Sequence, residues 1–137
     1  IDCVAINRYF EALASPDNNH KLRVEQWNQW MDRVNDGSLS IEEIQDDLAG
    51  FSRELADIAN EVNNIPTPHD ARSVRDLFLQ SIAESERAID LLLAANRTGN
   101  ERDRLEANDA LRRAGALRRK YWDQRVDLYE ACWGASP

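Results

Sequence analysis

The stretch "SLSIEEIQDDLAGFSRELADIANEVNNIPTP" (residues 38–68) decides the fold. Ser40 and Glu43 have the Ser-x-x-Glu spacing of a capping box, in which side chain and backbone satisfy each other's free amides at a helix start. From there Ile44, Leu48, Phe51, Leu55, Ile58, Val62 and Ile65 recur in alternating steps of four and three. That period lays all seven on one helical face, suited to a partner packed nearly antiparallel. "NNIPTPHD" (63–70) then stops the helix, and Thr67 is placed to cap the next one with Pro68 at its first position.

The same punctuation divides the rest. "NDGSLS" (35–40) separates a first helix from the second. "NRTGNE" (96–101) puts Gly99 at a helix C-terminus and Asn100 at the following N-cap. The third helix carries Val74, Phe78, Ile82, Ile89 and Leu92, with Leu77 and Leu91 beside them. Leu111, Ala114, Leu117, Tyr121, Leu128 and Cys132 mark the fourth, and Val24, Trp27, Met31 and Val34 the later part of the first. Period-two alternation is absent. Short connections join only neighbouring antiparallel helices. The expectation is therefore a single domain over 1–137: an all-α, up-down-up-down antiparallel four-helix bundle. Pro16 in "LASPDNNHKL" (13–22) predicts a broken or kinked first helix, because proline lacks the amide donor and restricts the residue before it.

Composition agrees. The 137 residues are 42% hydrophobic and hold only five glycines and four prolines, too apolar for disorder and too poor in turns for many strands. A net charge of −8 argues against a protein whose main task is coating nucleic acid. The longest apolar run, "AIDLLLAA" (88–95), is interrupted by Asp90 and falls short of a membrane span. Membrane association is expected only through an anchor outside these residues, and Cys3 lacks the small-residue context of a lipid attachment point.

The two cysteines, Cys3 and Cys132, lie near opposite ends of the sequence. Up-down-up-down topology brings those ends to one end of the bundle, so a disulfide between them is expected. In the chain-entropy picture closing so long a loop contributes about 4–5 kcal/mol. An unbroken first helix, at ~1.5 Å per residue, would carry Cys3 roughly ten ångströms past Cys132, which a break near Pro16 would absorb. A disulfide implies an oxidising compartment: periplasm, cell surface or medium.

Chemistry-bearing motifs are scarce. The sequence has no Glu-x-x-His pair for a di-iron site, no Cys-x-x-Cys-His and no Gly-x-Ser-x-Gly. No catalytic residue, metal ligand set or cofactor is predicted. His20 falls on the inward face of the first helix. With Asp17 and carboxylates from another helix it forms the alternative, a metal-carrying or enzymatic bundle. "LRRAGALRRKYWDQR" (111–125) concentrates cations on the fourth helix, which fit a solvated face once the apolar stripe turns inward. Trp30, Trp122, Arg118, Arg119 and Lys120 are the candidate contact surface. Asn96, Asn108 and Tyr121 are a candidate polar core, either fixing helix register or lining a small-molecule site.

The segment "PHDARSVRDLFLQSIAESERAIDLLLAANRTGNERDRLEANDALRRAGALRRKY" (68–121) combines a proline-started helix, the hairpin "AxxLLLxAxRTGN" and "LEANDALRRA". In these it resembles extracytoplasmic helical domains of small bacterial lipoproteins. The resemblance implies fold and location and supplies no catalytic residues. Together these features point to a non-enzymatic extracytoplasmic interaction or sensing domain of a bacterial envelope protein. Its partner, protein or small molecule, is not specified by the sequence.

Overall fold

The computed structural model describes residues 1–134 and is an antiparallel bundle of four helices, with no strand among the described residues. α1 spans Cys3–Asn35, α2 Gln45–Asn64, α3 Arg72–Thr98 and α4 Glu101–Trp133, with a 3-10 turn at His69–Ala71 before α3. None of these helices is long and apolar enough to cross a membrane.

Local chemistry sets the ends. Asp2 caps α1, its carboxylate accepting from the Ala5 amide at 3.1 Å. Ser40 and Glu43 exchange the reciprocal capping-box bonds at 3.1 and 3.2 Å, but these close the turn at 41–44 and do not cap the helix: α2 begins at Gln45, after Ile44, with no side-chain cap. Gly99 adopts a left-handed conformation (φ 69°) that an L side chain resists, and Asn100 caps α4 by accepting from the Arg102 amide. Thr67 does not cap. Its hydroxyl donates back to the Ile65 carbonyl at 3.1 Å, and the chain enters α3 through the 3-10 turn instead.

The predicted break at Pro16 does not occur: α1 runs uninterrupted from Cys3 to Asn35. Tertiary packing outweighs the local preference. Pro16 is buried along with Ile6, Tyr9, Leu13, Asp17 and His20, so its ring belongs to the core face. Ala12, whose carbonyl loses its usual partner four residues on, is an exposed residue.

The expected overshoot is removed at the other end of α1. Residues 36–44 form an extended series of turns before α2 begins at Gln45, so α1 outruns α2. α1 and α4 have the same length, 33 residues each, which levels Cys3 with Cys132. They form the disulfide, with Cα atoms 5.5 Å apart and a sequence separation of 129.

The core is continuous, from Ile6, Tyr9 and Leu13 of α1 through the full α2 stripe to Val74, Phe78, Ile82 and Ile89 of α3 and Tyr121 of α4. α3 and α4 approach most closely, because α4 presents Ala107, Ala110 and Ala114 to its neighbour. Small side chains let helix axes draw together. α1 and α4 have no comparable backbone approach and meet through long side chains.

Candidate functional site

Where α1 and α4 stand apart, a cavity of about 240 Å³ opens among all four helices. Val24 and Trp27 of α1, Phe51 and Leu55 of α2, and Ile89 and Leu111 of α3 and α4 give it apolar walls. Its polar lining is His20, Asn28, Ser81, Ser85 and Arg118. The lining passes from wholly buried His20, Leu55 and Ile89 to exposed Asn28, so the cavity reaches from core to surface.

Small residues make this space. Ser81 and Ser85, one helical turn apart on α3, face Ala114 and Gly115 of α4. The Ser81 hydroxyl donates to the Ala114 carbonyl at 3.1 Å and is satisfied without water. Trp27 and Trp30 pack on Phe51, with ring centroids 6.0 and 5.7 Å away. Gly115 is conspicuous: a Cβ there would meet only Arg119 Nη1, at 3.9 Å. Packing does not require a glycine, which costs about 1 kcal/mol against alanine inside a helix.

His20 is 1% exposed, its ring tilted against Phe78 with centroids 5.3 Å apart, and Nδ1 bonded to the Arg118 guanidinium. An arginine can only donate, so Nδ1 is the acceptor and the ring's proton sits on Nε2. That Nε2 is buried and has no hydrogen-bond partner. Burial, then the neighbouring Arg118 charge, push the His20 pKa down to about 4, so the ring is neutral at pH 7. Arg118 is half-buried, and desolvation pulls its pKa down. Among the described residues no carboxylate lies within ion-pair distance of it.

One helical turn nearer the disulfide, a second polar cluster links the same helices. Tyr121 donates to Asp17 Oδ1 at 2.6 Å, and Arg125 binds Asp17 Oδ2. The Arg125 guanidinium also lies 4.7 Å from the Trp122 ring and 4.8 Å from Phe10. Burial and Asp17 raise the Tyr121 pKa, which keeps the phenol a proton donor. This cluster is saturated.

Several predicted site residues move. Asn96 and Asn108 are exposed, so only Tyr121 of the proposed polar core is interior. Their hairpin end is closed by Ala95, Ala107 and Ala110, which leave no room for amides inside. The candidate contact surface does not form one patch. Trp122 is 42% exposed, and Arg119 and Lys120 are exposed beside it, but Arg118 turns inward to His20 and Trp30 packs against α2. His20 and Asp17 are engaged separately, and among the described residues no group of three His, Cys, Asp or Glu could hold a metal ion.

The cavity itself escaped the sequence reading. A signal existed in Ser81 and Ser85 four apart on the inner face of α3, opposite a glycine in mid-helix. Trp122 is exposed as expected, but its continuation along α4 as a ridge with Val126, Tyr129 and Trp133 is unpredicted.

The fold and cavity define a class: a disulfide-clasped four-helix bundle with a polar-anchored interhelical pocket. Compared with known proteins, the chain matches no family model, no curated protein and no solved structure.

Proposed function

We propose that this is a non-enzymatic, extracytoplasmic ligand-sensing domain of a bacterial envelope protein, which binds a small molecule in the cavity between its helices. The observation that carries the proposal is the pairing of an unpartnered buried donor, His20 Nε2, with an apolar-walled space of about 240 Å³. A cavity of roughly 150 Å³ lined only by apolar groups can take benzene, so this one has room for a fragment-sized organic molecule. Buried polar groups are normally hydrogen-bonded, and one left free beside such a space is explained by a ligand that supplies the partner. The disulfide supports an oxidising location.

The test is an amide-nitrogen NMR screen of the oxidised protein with neutral one-ring aromatic and medium-chain aliphatic fragments. Shift changes should centre on His20, Trp27, Ser81 and Arg118 and disappear when Ala114→Phe fills the space. Absence of any such response, or a response unaffected by Ala114→Phe in a folded variant, would overturn it. Alkylating the protein at its native location and measuring its mass gives the compartment, where two free thiols would refute an oxidising one.

A further inference from the structure

Resting on the cavity as a ligand site, we infer that its ligand is a small organic carboxylate, with the anionic head on the Arg118 N–H groups that His20 leaves free and the apolar body against Trp27, Phe51 and Leu55. Three observations converge. Among the described residues Arg118 is the only charged one lining the cavity; it is half-buried, its guanidinium lies 5.9 Å over the Trp122 ring, and no carboxylate pairs with it. Its carboxylate neighbour Asp17 is already taken by Tyr121 and Arg125. A cation withdrawn from water and left unpaired is costly, and an incoming anion offsets that cost.

The second observation is donor chemistry. Arg118 spends one N–H on His20 Nδ1, which fixes the ring as a neutral imidazole that does not compete for an anion, and the other guanidinium N–H groups remain to donate. Ser85 and Asn28 line the same wall nearer solvent. A cationic ligand would meet Arg118 repulsion. A phosphate dianion would face one guanidinium in a protein of net charge −8. One carboxylate matches one guanidinium.

The third is the rim. Gly115 lines the cavity, Arg119 Nη1 lies 3.9 Å from where its Cβ would stand, and Lys120 is exposed next in sequence. The cationic run of α4 thereby acquires a role as a local positive field that draws anions toward an otherwise negative protein. Glycine at 115 leaves that wall of the cavity without a side chain.

Calorimetric or NMR titration with benzoate and octanoate, against the uncharged isosteres benzamide and octanamide, tests the inference. The wild-type protein should bind a carboxylate probe about tenfold or more tighter than its amide, as expected for charge-assisted hydrogen bonds. Arg118→Gln should erase that preference while amide binding persists. Should that variant lose its fold, Arg118→Lys keeps the charge and should retain a carboxylate preference. Equal affinity for acid and amide would overturn the carboxylate assignment and leave the cavity site standing. No binding of either kind would overturn both.

Discussion

α4 makes two antiparallel seams, and they are built in opposite ways. Against α3 it shows Ala107, Ala110 and Ala114, and the backbones close on each other. Against α1 it sends out Arg118, Tyr121 and Arg125, which reach Asp17 and His20 across a wider gap. The first seam is closed at Ala107 and Ala110, and only at its Ala114 end does it border the cavity. The second is a strut, held at fixed width by charge and hydrogen bonds, and the cavity lies beside it. A bundle can therefore carry a pocket without loosening its core, by concentrating the looseness in one seam and bracing that seam at its end.

The disulfide is the outermost brace, and removing it should have the largest effect. Cys3→Ser with Cys132→Ser frees a loop of sequence separation 129 in the unfolded chain. Stability should fall by about 4–5 kcal/mol, read from urea unfolding. A loss confined to a few tenths of a kcal/mol would mean that side-chain struts alone hold α1 to α4. Asp17→Ala attacks those struts. It leaves the Arg125 charge and the Tyr121 hydroxyl without their acceptor inside the seam and should cost about 3–4 kcal/mol. A neutral result would show that the stacked Phe10 and Trp122 rings suffice for Arg125.

Acid should weaken the same seam through His20. Its folded pKa, about 4, lies below the ordinary 6.5, so the unfolded chain takes up the proton first as pH falls. Stability is then complete above pH ~6.5 and declines toward pH ~4, by on the order of 3 kcal/mol. Subtracting the pH profile of His20→Phe from that of the wild type isolates this contribution. Superimposable profiles would place the neutral, buried histidine in doubt, and with it the Nε2 donor.

What the sequence made legible was local or global, and the site lies between. The Ser40–Glu43 box, the Gly99–Asn100 turn and the α2 stripe are contacts within a few residues, and periodicity reports them directly. The Cys3–Cys132 link followed from topology alone. Pro16 misled because its penalty is local while its compensation, burial of the ring beside Leu13 and Asp17, is tertiary. Arg118 misled because period assigns a residue to a face by its Cα. A long side chain can instead run inward along apolar surface to meet a buried ring. Asn96 and Asn108 fell near an inner face by counting, and the closeness of the alanine seam excluded them. The cavity depends on helix spacing, which no single stripe encodes.

The smallest effect contrasts the two seams most sharply. Ala110, wholly buried where α4 meets α3, has no space to grow, and Ala110→Leu should cost about 1–3 kcal/mol through overpacking. Gly115, a turn further along the same helix, faces the gap, where an added Cβ meets nothing closer than 3.9 Å. Gly115→Ala should accordingly stabilise the protein by up to about 1 kcal/mol, the helical propensity difference, measured as a rise in the urea midpoint with unchanged slope. The same methyl group adds bulk to the cavity lining beside Arg118, so a carboxylate probe should bind that variant more weakly even as the fold strengthens. Opposite signs for stability and binding at one position are what a glycine kept for access produces. Loss of both together would make Gly115 a packing requirement that the open space around it does not explain.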